Sequence, residues 1–381
     1  MRNISLFVLI DALGWRLLEG REFLSDLLPY RYPLRTVLGF SSGAIPTILT
    51  GLPPARHGHW NLLYYDPKNS PFWWLRYFGF LPDSVLDTRV GRKVIQQLGR
   101  RVLGMGPGFE CCVSPRLMPH FNWAERRNIY AEGGLGAVPC IFDQLAARGV
   151  DYRVYSYHDA CDEDILSRAR RDLAASNATF FFVYLSEMDA FLHAHCADPG
   201  RLNERLAWYE ESLRRLFAAA RAEDPDAAMT VFSDHGMAPV RQHVDLMAEV
   251  SRAGLNMPRE YLAVYDSTMA RFWFFSDKAR REITSLLRNV PFGHIVPEAE
   301  LKDLGVCFED GRYGEMVFLL DPGCLMAHGD FNGPQWMPAG MHGYHPEDAN
   351  SDAIFLADRE PRAPVRAIRD VYECMKESVG L

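Results

Sequence analysis

Carboxylate and imidazole side chains stand in four short segments spread over nearly the whole chain. Aspartate oxygen and histidine nitrogen are ligands that zinc takes in catalytic sites, where one position stays open for substrate or water. Six such side chains suffice for two sites of three ligands each. We therefore predict two bound divalent metal ions, zinc in the first place and manganese as the alternative. The predicted ligands are Asp11, Asp189, His193, Asp234, His235 and His342.

The spacing within two of these segments suits a shared site. Asp189 and His193 are four residues apart, so one helical turn would place both on the same face. Asp234 and His235 are adjacent and would point into one cleft from a tight turn that ends at Gly236. Each residue alone has an ordinary explanation, because an aspartate at a strand end is often a helix cap and a lone histidine often a core or surface residue. The joint occurrence of all six favours the metal site.

A pair of hydroxyl groups, on Ser41 and Ser42, stands where a helix is expected to begin. The free backbone N–H groups and the positive dipole at such a position suit an attacking alkoxide and a bound phosphate. Coordination to a metal would lower the pKa of the hydroxyl further. The alternative is that one of these serines is only the helix N-cap.

The elements that must position these groups follow an alternating pattern. Three apolar runs are typical of strands buried on both faces of a parallel sheet, and each ends close to an acidic candidate. These runs are Ile4–Ile10, Ala178–Leu185 and Ala228–Phe232. Between and around them, helix-like stretches cover residues 44–50, 140–148, 162–175 and 201–222. The alternation predicts an α/β fold with a doubly wound sheet, in which ligands bind at the carboxyl ends of the strands.

Residues 66–136 interrupt this alternation, and we predict that they form a cap inserted into a single catalytic domain spanning residues 1–381. The cap is rich in aromatic side chains, which are followed by a basic cluster. The aromatics are Phe72, Trp73, Trp74, Tyr77, Phe78 and Phe80, and the basic residues are Arg89, Arg92, Lys93, Arg100 and Arg101. The cap could contact a sugar, base, lipid tail, second phosphate or anionic membrane. Alternatively, the aromatics form the cap's own core and the basic residues a solvated helix face.

Length, charge and cysteine content limit the classes of protein to which this chain can belong. With 381 residues, 48% of them hydrophobic, the chain can bury a large core. Its net charge of -8 gives no overall attraction to a nucleic acid duplex. The eight cysteines include no CxxC pair, which fits a reducing cytoplasm, with peripheral membrane contact through the cap as an option. The first apolar run is too short for a signal peptide, and no run has the ~20 apolar residues of a membrane span.

The whole array resembles the alkaline phosphatase superfamily, most closely its type I phosphodiesterase/nucleotide pyrophosphatase branch. In that family a Thr or Ser nucleophile stands ten residues before the Gly of a Thr-Gly-Leu segment, here Gly51, which selects Ser41 over Ser42. The segment Pro54–Gly58 is similar to the family's Pro-x-x-His-Gly turn. The family also has an asparagine near this turn that hydrogen-bonds a phosphoryl oxygen. Counting gives Leu62, and the nearest asparagine is Asn61.

This resemblance implies an alkaline-phosphatase-like, mostly parallel sheet with helices on both faces. It also implies that Asp189, His193 and His342 hold one metal, and that Ser41 joins Asp11, Asp234 and His235 around the other. The implied activity is hydrolysis of a phosphodiester or pyrophosphate bond through a phosphoseryl intermediate, on a small-molecule, glycan or lipid phosphate ester. A phosphomonoesterase or phosphoryl transferase could use the same core, and a non-catalytic metal-bearing binding protein is the rival from another class. The oligomeric state stays open.

Overall fold

Strands and helices alternate along much of the chain, which a computed structural model describes over residues 2–81, 83–105, 109, 113–330 and 336–381. The strands are β1 (Ser5–Ile10), β2 (Tyr30–Leu34), β3 (Leu63–Tyr65), β4 (Phe121–Trp123), β5 (Tyr152–Tyr155), β6 (Phe180–Leu185), β7 (Ala228–Phe232), β8 (Ala238–Pro239), β9 (Gln242–Val244), β10 (Tyr261–Tyr265), β11 (Met269–Phe274), β12 (Gly293–Ile295), β13 (Met316–Leu320), β14 (Cys324–Met326), β15 (Gly340–Met341) and β16 (Ala353–Ala357). The helices are α1 (Trp15–Leu18), α2 (Ser41–Thr50), α3 (Pro54–His57), α4 (Asp83–Leu86), α5 (Arg89–Val102), α6 (Ile141–Ala147), α7 (Asp162–Ala175), α8 (Glu187–His195), α9 (Pro199–Glu223), α10 (Leu246–Ser251), α11 (Asp277–Leu287), α12 (Glu298–Asp303) and α13 (Val371–Ser378). Short 3-10 helices cover Trp73–Phe78, Met118–His120 and Ile368–Asp370.

The central sheet has six strands in the order β2-β16-β7-β1-β6-β5. β1 runs parallel to both β6 and β7, β5 runs parallel to β6, and β16 is antiparallel to its neighbours. Successive side chains of β1 point to opposite faces, so Val8 packs into one core with α7 and α9, while Leu9 packs into another with α2, α6 and α13. Both faces of the sheet are therefore covered by helices. This confirms the predicted doubly wound, mostly parallel α/β fold.

A second, antiparallel sheet has the order β10-β11-β13-β12. β10 and β11 pair directly, with Tyr261 opposite Phe274 and Tyr265 opposite Ala270. Alternate residues of β10 again serve two layers. Ala263 packs with α10 and α11, whereas Leu262 and Val264 pack against apolar residues of the predicted cap.

The predicted cap, residues 66–136, contains α4, α5 and β4, and its residues 82, 106–108 and 110–112 lie outside the described part. Buried side chains of this segment, among them Phe72 and Ile95, form one cluster with Trp273 of β11. The aromatics divide, since Phe72 is buried while Trp73 and Tyr77 are exposed. The assignment of residues 66–136 as a cap within a single domain stays a prediction.

The predicted elements agree with the observed ones to within three residues at either end. α9 begins at Pro199, two residues before the predicted start, because proline fits the first helical position and the Asp198 carboxylate accepts hydrogen bonds from the N–H groups of Gly200 and Arg201. Among the described residues, no helix is both long enough and apolar enough to cross a membrane.

Candidate metal centre and nucleophile

The candidate ligands meet at one edge of the central sheet. Asp11 follows β1 directly, α8 begins two residues after β6, and Asp234 comes two residues after the end of β7. Because these three strands are parallel, their carboxyl ends lie side by side. His342 comes from outside this sheet, directly after β15, and β15 pairs with β8 shortly beyond His235. The fold thus brings together segments that are distant in sequence.

Asp189 lies between two histidines. Its Oδ2 is 3.3 Å from Nε2 of His193, and its Oδ1 is 3.4 Å from Nε2 of His342. The centroids of the two imidazole rings are 5.4 Å apart. We refer to Asp189, His193 and His342 as the first cluster.

His235 is the centre of a second cluster, made of Asp11, Ser41, Asp234 and His235. Its Nε2 lies 3.2 Å from Oδ2 of Asp234, 3.6 Å from Oδ1 of Asp11 and 3.0 Å from Oγ of Ser41. The rings of His235 and His342 stack with centroids 3.9 Å apart, so the two clusters adjoin. All six predicted ligands and Ser41 therefore lie around one site.

Backbone carbonyls fix the tautomers of two of the histidines. The carbonyl of Gly340 accepts a hydrogen bond from Nδ1 of His193 at 2.8 Å, and that of Gly236 accepts one from Nδ1 of His235 at 3.0 Å. Because a carbonyl oxygen can only accept, Nδ1 carries the hydrogen in each ring, and in the neutral ring Nε2 holds the lone pair. Both lone pairs then face carboxylate oxygens. A cation between them would turn this repulsion into attraction.

Several buried polar atoms in the two clusters have no hydrogen-bond partner among the described residues. Buried polar atoms are normally paired, so orphaned acceptors that face a common point suit a metal ion. The unpaired atoms are Asp11 Oδ1, Asp189 Oδ1, Asp234 Oδ2 and His342 Nδ1. Ligand atoms of two sets lie within 4.8 Å of one another, namely Asp11, Asp234 and His235, and Asp189, His235 and His342. The two sets share His235, and His193 adjoins the second set through its contact with Asp189, so these residues can hold metal.

Burial and neighbouring charges shift the pKa values of these groups. Burial, with the charges of Asp234 and Asp189, raises the pKa of Asp11 well above its ordinary value. Burial opposes ionisation of Asp189 as well, but the neighbouring imidazoles of His193 and His342 hold the pKa of that carboxyl below its usual range. Burial and the adjacent His235 lower the pKa of His342 well below that of a free histidine. His342 is therefore neutral, which is the form that binds metals.

Ser41 is the first residue of α2, and the two serines have different surroundings. Phe40 is the N-cap, and its carbonyl accepts hydrogen bonds from the N–H groups of Gly43 and Ala44. Neither serine therefore caps the helix. Ser42 is buried, and its Oγ donates a hydrogen bond to the carbonyl of Trp60 at 3.0 Å. Ser41 is partly exposed and faces His235. The geometry thus leaves Ser41 as the hydroxyl that faces the candidate metal centre.

Asn61 is buried beside this helix. Its Nδ2 lies 3.7 Å from Sδ of Met269, and its Oδ1 has no partner among the described residues. The preceding Trp60 is the residue whose carbonyl binds Ser42, which keeps Asn61 close to the start of α2. A contact of Asn61 with a phosphoryl oxygen stays a prediction.

Two supporting residues were not predicted from the sequence. The hydroxyl of Tyr184, on β6, donates a hydrogen bond to Oδ2 of Asp11. Ala12 adopts a left-handed conformation with φ of 60°, which is uncommon for a residue with a side chain, and its N–H donates to Oδ1 of Asp234 at 3.2 Å. Both contacts hold carboxylates of the second cluster in place. The sequence signal for Tyr184 is one polar atom near the end of an apolar strand.

Comparison with known proteins identifies the family of this chain. The model of the type I phosphodiesterase/nucleotide pyrophosphatase family matches residues 6–345. No curated protein matches the chain by sequence.

Solved structures share the fold at low identity. Human ectonucleotide pyrophosphatase/phosphodiesterase 5 superposes with a TM-score of 0.71 at 13% identity, over 99% of this chain and 95% of its own. The murine protein, in an inactive form bound to AMP, gives 0.69 at 16% identity over the same shares. Phosphonoacetate hydrolase from Sinorhizobium meliloti 1021, in complex with phosphonoacetate, gives 0.66 at 14%, over 99% of this chain and 96% of its own. The chain is a hydrolytic enzyme of the alkaline phosphatase superfamily and belongs to the type I phosphodiesterase/nucleotide pyrophosphatase family.

Proposed function

We propose that this enzyme hydrolyses a phosphodiester or pyrophosphate bond in a small-molecule ester through a phosphoseryl intermediate on Ser41, with two divalent cations in the adjoining clusters. The observation that carries the proposal is the position of Ser41 Oγ, 3.0 Å from Nε2 of His235. A hydroxyl in that place can share a cation with His235, Asp11 and Asp234.

The ligand chemistry supports zinc, with manganese as the alternative. Asp189, His193 and His342 would hold one ion, and Asp11, Asp234, His235 and Ser41 the other. A mixture of carboxylate oxygen and imidazole nitrogen is typical of catalytic zinc. When bound, the two ions would neutralise charge on the phosphate and lower the pKa of the serine hydroxyl.

The chain's own residues then account for a two-step displacement. Ser41 gives up its proton and its Oγ bonds to phosphorus, while the bond from phosphorus to the leaving oxygen breaks on the opposite side and that oxygen takes up the proton. Water next bonds to phosphorus, the bond to Oγ breaks, and a proton from water returns to Ser41. Because Ser41 begins the ten-residue helix α2, backbone N–H groups at the start of this helix can bind the phosphate oxygens.

The family, and the ligands that its structural neighbours bind, support a small-molecule phosphate ester as the substrate. The murine neighbour binds AMP, and the bacterial neighbour binds phosphonoacetate. We propose a nucleotide sugar, glycan phosphate or phospholipid headgroup as the class of substrate. Both a phosphomonoester and phosphonoacetate belong in the test, because the same core could accept either.

A substrate panel tests the proposal on the full chain after loading with zinc or with manganese. We expect hydrolysis of bis-p-nitrophenyl phosphate to exceed that of p-nitrophenyl phosphate and of phosphonoacetate. Chelation should abolish it and added metal should restore it. Preference for the monoester would replace the proposal with a phosphomonoesterase. A protein that binds neither metal and hydrolyses none of the three compounds would be a binding protein instead.

A further inference from the structure

Exposed apolar side chains are concentrated in one part of the cap. Nine of the fourteen large hydrophobic residues that are exposed in the described part of the chain lie between residues 73 and 102. They are Trp73, Tyr77, Phe78, Phe80, Val85, Val90, Val94, Leu98 and Val102, and we refer to them as the cap face. Single exposed apolar residues are ordinary, whereas a cluster of this kind marks a surface that binds something.

Four members of the cap face form a stripe along α5. Val90, Val94, Leu98 and Val102 recur every four residues, and each is rotated by about 40° from the one before. Their exposed fractions are 71%, 53%, 39% and 71%. The side of the helix that packs inward carries Ile95 instead. The helix therefore has one apolar side in the cap core and a second apolar side in solvent.

The stripe and the exposed aromatic residues belong to one packed unit. The ring of Phe109 stacks on Phe72 with centroids 5.3 Å apart, and Phe72 immediately precedes the 3-10 helix that carries Trp73 and Tyr77. The same Phe109 ring packs so closely on Gly99 of α5 that a Cβ there would lie 2.5 Å from it. The two parts of the cap face are thus held together across a single aromatic ring.

Positive charge accompanies the stripe. Arg89, Lys93 and Arg101 are exposed on α5, and the segment Arg89–Val102 contains no acidic residue. This local excess stands against a net charge of -8 for the whole chain. An apolar stripe flanked by basic residues is the pattern of helices that lie in the plane of a membrane interface, where tryptophan and tyrosine also concentrate.

We propose that the cap face binds the surface of an anionic lipid bilayer, with α5 lying along the interface. Charge complementarity favours this partner over a second copy of the chain, because a self-contact of the face would bring the basic residues of two helices together. The apolar stripe would enter the acyl boundary, and Arg89, Lys93 and Arg101 would meet lipid phosphates.

Co-sedimentation of the full chain with vesicles tests this inference. We expect binding to vesicles of phosphatidylcholine mixed with phosphatidylserine, little binding to phosphatidylcholine alone, and weaker binding at high salt. Each basic residue near such a surface strengthens binding by about fivefold, so Arg89→Glu combined with Lys93→Glu should abolish it. Arg168→Glu combined with Arg171→Glu is the matched control, because these two exposed arginines lie on α7, which packs on the central sheet.

A second pair of variants isolates the apolar part. Val90→Ser combined with Val94→Ser leaves the charge unchanged and should weaken binding, whereas Met257→Ser, at another exposed apolar residue, should not. Thermal melting verifies that each variant is folded. Vesicle binding that does not depend on phosphatidylserine, or that both cap variants retain, would overturn the proposal. So would a dimer in sedimentation velocity that the cap variants abolish, without vesicle binding.

This inference is separate from the catalytic proposal. Ser41→Ala protein should bind vesicles as the unmodified chain does, and the cap variants should retain hydrolysis of a soluble ester. If the chain does not bind vesicles, the hydrolase proposal is unaffected. If it does not hydrolyse the esters, the vesicle experiment can still be interpreted.

Discussion

Ser41 Oγ lies 3.0 Å from Nε2 of His235, whereas the hydroxyl of the next residue in the chain points to the carbonyl of Trp60. Successive residues of a helix are rotated by about 100°, so two adjacent serines cannot face the same site. The fold therefore gives Ser41 and Ser42 different environments.

The first prediction compares these two serines. Ser41→Ala should lower hydrolysis by a factor on the order of 10³ or more, because the attacking atom is lost. Metal content should stay near that of the unmodified chain, since six other ligands remain. Ser42→Ala should cost about 1 kcal/mol of stability through the lost hydrogen bond and keep most of the activity. An inactive Ser42→Ala protein beside an active Ser41→Ala protein would reverse the assignment.

The second prediction concerns the first cluster. His342→Ala removes one of the two histidines beside Asp189, so elemental analysis should show the loss of about one of two bound ions. His345→Ala is the control from the same segment, since its imidazole pairs with Glu300 at 3.0 Å and is not part of either cluster. Equal metal content in both variants would show that His342 is not a ligand.

The sequence predicted the sheet edge and the residues that meet there because each rests on a local pattern. An apolar run predicts β1, and the spacing of four residues places Asp189 and His193 on α8. It could not predict the hydrogen bond from Tyr184 to Asp11, because a tyrosine inside an apolar strand looks the same whether its hydroxyl meets a carboxylate or water.

The sequence also could not predict which side of α5 faces the core. Both sides of this helix carry aliphatic residues, Ile95 on one and Val90 and Val94 on the other. Periodicity alone does not indicate which of them meets the core. In the fold, Ile95 packs with Phe72 and Phe109 in the core of the cap, whereas Val90 and Val94 are exposed.

The third prediction tests the support that Tyr184 gives to Asp11. Tyr184→Phe leaves Oδ2 of Asp11 without its donor, and loss of such a contact typically lowers metal affinity 10- to 100-fold. Activity at limiting metal should fall and should recover when metal is in excess. Tyr155→Phe on the neighbouring strand β5 removes a similar hydrogen bond, to Asp172 at 2.6 Å, away from the site. A loss of activity that excess metal does not rescue would contradict a role in metal binding.

The fourth prediction concerns Glu125, just beyond β4, where burial raises the carboxyl pKa from 4.5 to about 7. A raised carboxyl pKa means that the folded state disfavours the ionised form. The stability present below pH 4.5 is therefore lost progressively as pH rises through about 7. Glu125→Gln removes this loss. Between about pH 5 and about pH 8, the free energy of unfolding of the variant should therefore rise by about 2 kcal/mol relative to the unmodified chain. This figure allows for the partial solvent exposure of Glu125, which weakens the effect of burial.

Urea unfolding at the two pH values measures this difference directly. Glu204→Gln, at an exposed position within α9, controls for the change of charge and should respond much less. The comparison also bears on the site, because burial, with the charges of Glu125 and Asp11, raises the pKa of both Tyr130 and Tyr157. If the free energy of unfolding rises equally in the two glutamine variants as pH increases, the change in net charge, and not the burial of Glu125, causes the effect.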